Sequence, residues 1–359
     1  MSFAAVFTTA VAAVGLVFYG VYRWALPRPI PGIHFNPKAV KRLWGDIPDV
    51  ITEMQTRGDL VAWLIEENLK SPNIVNQIFL RPFSKPMVVI GDALEARDLQ
   101  INRTKDFDRS SELTDLFGPL VRTNQILHKT GPEWKMHRRL VQDTMTPRFL
   151  NEVVAPTIYS TALRFIELWK IKTALARGRP FPAMDDMVLT TLDAVLAFSF
   201  GPTFPESAMQ PQIEGLKSFT VDFSESNASP VSFPRFDLGK DVNAMFRLTE
   251  VLEGIQSDPF PKMKWWFVKM MSPFRTHERT KDACIRREIE RAIDRRKQQV
   301  EGVDDSWVRS TVDHVIDREQ RLADKTGRKP DLCSPAIMDE VNCETPCSST
   351  FTDIVSCTD

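Results

Sequence analysis

No charged side chain occurs between Met1 and Tyr22, and most of those residues are apolar. A helix rising ~1.5 Å per residue over that length reaches across a hydrocarbon layer about 30 Å thick. A cleaved signal peptide would carry Lys or Arg ahead of a shorter apolar stretch. This run has no such residue before it and is longer, so residues 1–22 read as an uncleaved transmembrane anchor. Arg23, Arg28, Lys38, Lys41 and Arg42 follow. Basic flanks are retained on the cytosolic side, so the body is expected in the cytosol, held at the endoplasmic reticulum membrane.

Pro27, Pro29 and Pro31, followed by Gly32, cannot continue a helix, because proline lacks the amide donor and clashes with the preceding turn. Residues 23–45 therefore read as a Pro-rich linker. The chain as a whole, 359 residues, is 43% hydrophobic and 26% charged, enough apolar material for a substantial core. Lys and Arg number 46 against 47 Asp and Glu, which gives no global basis for gripping a phosphate backbone, so nucleic acid is not an expected partner. Five cysteines are too few for a disulfide scaffold.

The pattern from Asp49 to Leu69 is helical, and Ile74–Leu80 and Met87–Ile90 read as two short strands joined by a hairpin. Asp92 caps a helix through Leu99. Further helices are predicted over Gly131–Thr146, Asn151–Arg177 and Met184–Phe200. Prolines interrupt residues 201–273, where two or three helices are expected. There Trp265, Trp266, Phe267 and Val268, flanked by Lys262, Lys264 and Lys269, suit a membrane surface or, more commonly, a buried helix face. Thr276–Gln299 alternates charges and reads as a solvated helix. The fold class is mainly α with a small β-sheet, α+β, with a body over residues 46–341 and a tail, 342–359, of loop composition.

The chemically informative passage runs from Thr130 to Val141. Thr130 and Glu133 have capping-box spacing, Pro132 is tolerated in a first turn, and Pro147 stops the helix. Trp134, Arg138, Val141 and Met145 are spaced by four, three and four, so they form one stripe expected to face the core. A guanidinium cannot lose its proton to escape burial, so an inward Arg138 requires an anionic partner, a protein carboxylate or a cofactor group. The other reading is that Arg138 snorkels to water with its stem or charge resting on the Trp134 ring.

This passage resembles the cytochrome P-450 family of haem-thiolate monooxygenases. Trp134 to Arg138 matches the family's W-x-x-x-R pattern, whose Trp and Arg contact a haem propionate, so the resemblance implies that Trp134 and Arg138 bind the cofactor. The apolar N-terminus, the Pro-rich hinge, the early hairpin and Phe107-Asp108-Arg109-Ser110 look like the family's opening half. Leu192-Asp193-Ala194 with Phe198-Ser199-Phe200-Gly201 looks like its E-helix region, and Ser334–Val341 like the start of its long I helix. Together these features resemble the membrane-bound fungal members of secondary metabolism. The resemblance implies haem, an NADPH-dependent reductase as electron donor, and a small apolar substrate.

After Val341 the match stops. The 359 residues carry no acid-Thr oxygen-activation site on an apolar helix, no E-x-x-R helix and no F-x-x-G-x-R-x-C loop, whose cysteine ligates iron in the family. The axial thiolate favours O–O cleavage, so the chain as written reads as a truncated and catalytically silent form, with no catalytic residue assigned. Cys284 and the four late cysteines, Cys333, Cys343, Cys347 and Cys357, lack that motif's neighbours. The nine-three-nine spacing of the late four matches no usual zinc knuckle, and the scattered histidines give no metal-ligand spacing, so no metal site is assigned. The alternative is a membrane-anchored helical binding protein without redox chemistry.

Overall fold

The computed structural model describes residues 3–81, 83–221, 230–256, 258, 260–298 and 308–344; within these, the side chains of residues 3–12, 112 and 342–344 are not described. The chain divides into two compact units, Met1–Asp108 and Arg109–Asp359. Its architecture is mainly helical with one small mixed sheet, as the sequence patterns predict.

The first unit opens with helix α1, Phe3–Ala25, which runs past Tyr22 and takes in Arg23. Among the described residues no helix is long and apolar enough to cross a membrane, so the transmembrane anchor expected over residues 1–22 is not supported. The Pro-rich segment that follows is strapped to the sheet. Gln77 Nε2 donates to the carbonyls of Ile30 and Ile33, both at 2.9 Å, and its Oε1 accepts from the Ile30 amide at 2.7 Å. Strand β1, His34–Phe35, pairs parallel with β2, Val75–Ile78, which pairs antiparallel with β3, Met87–Ile90, with Val75 opposite Ile90 and Ile78 opposite Met87. Strand β2, predicted over Ile74–Leu80, starts only at Val75 because Ile74 sits at φ +52°, a conformation that no strand residue adopts, and it ends at Ile78.

The single helix predicted over Asp49–Leu69 is two, α2 (Ile47–Thr56) and α3 (Leu60–Leu69). Gly58, at φ +71°, turns the chain between them, and the Asp59 carboxylate accepts from the Ala62 amide at 2.9 Å to start the second. Gly45, at φ +54°, lies against Phe79 so closely that an added Cβ would meet the Phe79 carbonyl oxygen at 2.5 Å. That approach lets the buried Asp46 carboxylate accept from the Phe79 amide at 2.9 Å. Asp92 caps α4, Ala93–Ile101, as predicted, accepting from the amides of Leu94 and Glu95.

The second unit contains α5 (Ser111–Phe117), α6 (Pro132–Val141), the one-turn α7 (Pro147–Phe149), α8 (Ala155–Ala176), α9 (Met184–Phe200), α10 (Gln210–Lys217), α11 (Lys240–Gln256), α12 (Pro261–Met270), α13 (Ser272–Lys297), α14 (Thr311–Thr326) and α15 (Pro335–Glu344). Its main core joins Leu140 and Val141 of α6, Leu192, Leu196 and Phe200 of α9, Met245 of α11, Ile285 and Ile289 of α13, Val315 and Ile316 of α14, and Ile337 and Val341 of α15. Phe117, Leu248, Leu252, Ile255, Trp265 and Phe274 form a second cluster.

Helix α13 corrects the expectation of a solvated element. Despite its charge it buries Phe274, Cys284, Ile285, Ile289 and Ala292 along one stripe. Its arginines reach across to buried carboxylates: Arg295 Nε lies 2.9 Å from Asp313 Oδ1 of α14, and Arg287 pairs with Asp241 of α11. Burial raises the Asp313 pKa, with Arg295 and its hydrogen bonds opposing that shift.

Candidate functional site

Helix α6 carries the residues singled out by sequence. Gly131 is its N-cap and no side chain caps it, so the predicted Thr130 capping box does not form at that position. The last predicted turn is a tighter 3-10 turn, Gln142–Met145. The inward face is His137, Leu140 and Val141, continued by Thr144. Of the predicted stripe only Val141 is buried; Arg138 and Met145 are exposed and Trp134 is half-buried. The rotation follows from what the surroundings offer. A buried carboxylate meets His137, and among the described residues none meets Arg138.

That carboxylate is Glu340 of α15, 1% exposed. Its Oε1 lies 2.8 Å from His137 Nδ1 and accepts from the Gln125 amide at 2.7 Å, and its Oε2 accepts from Asn124 Nδ2 at 3.0 Å. Next to it, Asp339 accepts from the Thr123 amide and hydroxyl, both at 2.8 Å. The His128 and His137 rings lie 4.8 Å apart, and His128 Nε2 is 3.0 Å from the Thr123 carbonyl. Burial pushes the Glu340 carboxyl above its ordinary range, opposed by the hydrogen bonds from His137 and the Gln125 amide. Sequence reasoning passed over this cluster. Its signal was the three-residue step from His137 to Leu140, which puts the imidazole on the apolar face.

On the outer face, the Arg109 guanidinium carbon stands 5.1 Å from the centre of the Trp134 ring, and Arg109 Nη1 donates to the His128 carbonyl at 3.0 Å. The cation on Trp134 is therefore Arg109, not Arg138. Among the described residues neither the Trp134 indole N–H nor the Arg138 guanidinium makes a hydrogen bond or ion pair. Two unpartnered donors one helical turn apart, beside a second guanidinium, fit an anionic group such as a carboxylate.

No group of His, Cys, Asp and Glu among the described residues is arranged to hold a metal ion. Cys284 is fully buried and its thiol is pushed up to about 12, chiefly by burial and then by Asp241, so it stays protonated. Cys333 is half-buried, and the side chains of Cys343, Cys347 and Cys357 lie outside the described residues. The donors on α6 thus fit the propionate side of a haem.

No family model matches the chain. It is similar to the cytochrome P-450 monooxygenase TRI13 of Fusarium sporotrichioides, 31% identical over 333 residues, which cover 91% of this chain and 56% of that protein. It is likewise 31% identical over 339 residues to the cytochrome P-450 monooxygenase xilC of Penicillium crustosum, covering 91% of this chain and 56% of that one. The chain therefore spans little more than half the length of these curated relatives. Over nine-tenths of its own length it is homologous to fungal cytochrome P-450 monooxygenases, the family its motifs resemble.

Proposed function

We propose that this chain forms part of a membrane-associated haem-thiolate monooxygenase that takes electrons from an NADPH-dependent reductase and oxidises a small apolar metabolite. The observation that carries the reading is the pairing of this homology with two donors that have no partner among the described residues, the half-buried Trp134 and the exposed Arg138, one helical turn apart. When bound, the haem supplies the oxygen chemistry, and an axial thiolate tunes it. The role of this chain's residues is to bind and orient. Arg138 and the Trp134 N–H receive a propionate, and Arg109 adds positive charge beside them. Catalysis is not assigned to these residues alone, since the activity is that of the whole protein. Support for a membrane location comes from the uncharged stretch ahead of Arg23, and carbonate extraction of the full chain tests it.

The haem reading is tested by the haem content of the purified chain, expressed with a haem precursor, against Arg138→Ala and Arg139→Ala. A charge-assisted hydrogen bond to a propionate is worth about 1.5–3 kcal/mol. Arg138→Ala is therefore expected to retain much less haem than Arg139→Ala, whose side chain points about 100° away. Equal content in the two variants, or none in any of the three proteins, overturns the assignment.

A further inference from the structure

A cavity of about 230 Å³ opens between α14 and the segment that links α6 to α8. His314, Arg318 and Arg321 line it from α14, where steps of four and three put them on one face. Asp143, Arg148 and Glu152 line it from the linking segment, and Phe149, Val153 and Val308 supply its apolar wall. None of these residues belongs to the Trp134, Arg138 and Arg109 group.

The carboxylates of the lining already have partners. Asp143 Oδ2 accepts from Arg318 Nη1 at 2.9 Å, Glu152 Oε2 accepts from Arg148 Nε at 3.0 Å, and Asp317 Oδ2 pairs with Arg321 Nε at 2.5 Å. The groups left over are donors. His314 Nε2 and Arg318 Nε are buried atoms with no hydrogen-bond partner among the described residues. The imidazole nitrogen stands 3.8 Å from Asp143 Oδ2, beyond hydrogen-bond reach. Buried donors left unpaired destabilise a fold, so the cavity favours a molecule that brings acceptor oxygens.

The charges of the lining set the sign of that molecule. Three guanidiniums face three carboxylates, so the lining is neutral while His314 is neutral. Burial holds the His314 pKa below its ordinary 6.5, and Arg318 and Arg321 add to that shift while Asp143 and Asp317 oppose it. An anion entering the cavity reverses the balance, because a protonated imidazole then gains a charge partner. Cationic groups reach the space from both walls, Arg148 on one and Arg318 and Arg321 on the other. A planar carboxylate is served by one fork along one edge, whereas the oxygens of a tetrahedral phosphate accept from several directions.

We infer that this cavity is a binding site for a small organic phosphate, with His314 Nε2 and Arg318 Nε donating to the phosphate oxygens and Phe149, Val153 and Val308 against its carbon part. The site goes beyond the monooxygenase reading and requires neither haem nor a membrane, so the two stand or fail separately.

The test is isothermal titration calorimetry of the full chain with glycerol phosphate and with sulfate, in phosphate-free buffer at constant ionic strength. Sulfate keeps both charges between about pH 5.5 and 7.5, so it isolates protonation of the protein. The expected result is one saturable site for each anion, with sulfate binding tighter as pH falls, by at most about tenfold per pH unit. His314→Gln and Arg318→Gln should each weaken binding about tenfold or more. His314→Gln should also flatten the pH dependence to what Asp143, Glu152 and Asp317 contribute. Val308→Trp takes up part of the cavity without changing any charge, and should weaken binding of glycerol phosphate. Arg247→Gln removes an exposed guanidinium on α11 and should change nothing. Circular dichroism checks that each variant is folded. Absence of a saturable site overturns the inference, as does wild-type affinity in Val308→Trp, or a loss in His314→Gln and Arg318→Gln no larger than in Arg247→Gln. Acetate binding as tightly as sulfate overturns the assignment to a tetrahedral anion.

Discussion

His137 Nδ1 and Glu340 Oε1 lie 2.8 Å apart, although 203 positions separate the two residues in sequence. Both side chains are almost completely buried, at 4% and 1% exposure. The contact joins α6 to α15, and Asn124 Nδ2 and the Gln125 amide donate to the same carboxyl group.

Removing the carboxylate leaves Asn124 Nδ2, the Gln125 amide and His137 Nδ1 without the group they meet. Glu340→Ala should therefore cost about 1–3 kcal/mol, as leaving buried hydrogen-bonding groups without a partner does. Glu340→Gln keeps an acceptor oxygen and should cost less. Urea denaturation measures both, and a loss below about 1 kcal/mol for Glu340→Ala would show that α15 is held by its apolar contacts alone.

The same carboxyl should make stability depend on pH. Burial raises its pKa in the folded chain above the ordinary 4.5. From 4.5 upward to the raised value, the folded chain holds a proton that the unfolded chain has released, so this group's contribution falls as pH rises through that window. Glu340→Gln cannot titrate, so its stability relative to wild type should improve over the same window. A constant difference across the series would contradict the shift.

Cys284 should be chemically inert in the folded chain. Its thiol is fully buried and pushed up to about 12. Alkylation by iodoacetamide near neutral pH, followed by mass spectrometry, should modify Cys284 only in denaturant, because the thiolate is the nucleophile. Rapid labelling in buffer would mean that the stripe of α13 opens readily.

Lys172 of α8 and Asp186 of α9 form a second buried pair, 2.6 Å apart, with the Trp169 indole N–H donating to the same carboxylate at 3.1 Å. Lys172→Ala strands the carboxylate and should cost about 3–5 kcal/mol, whereas Lys172→Met with Asp186→Leu should recover most of that loss. A double variant no more stable than Lys172→Ala would show that the pair contributes more than its own desolvation costs.

Arg138→Ala should leave the stability of the chain within about 0.5 kcal/mol of wild type, since its side chain is exposed and has no partner among the described residues. A larger loss in thermal or urea unfolding would place Arg138 in the packing of α6.

Much of the local structure was legible because its signals are local. Met184–Phe200 and Met87–Ile90 have the predicted bounds, and Asp92 starts α4, since a capping carboxylate and an apolar period act within a few residues. The break at Gly58 was missed because the apolar pattern continues across it, while the chain direction does not.

Periodicity determined the angle between one side chain and the next on every helix, and it placed Trp134 and Arg138 on one face of α6. It could not determine how that helix is rolled about its axis. The roll was decided by Glu340, a carboxylate from α15 that gives His137 a buried partner and leaves Arg138 outside. Tertiary structure also turned the charged α13 into a core element, by placing Asp313 and Asp241 where its arginines reach them. It divided Trp265 from Trp266 by offering the first the Leu116 carbonyl and leaving the second exposed. A sequence fixes relative positions along its own elements, whereas the burial of a polar or aromatic group depends on a hydrogen-bonding partner that only the folded chain brings within reach.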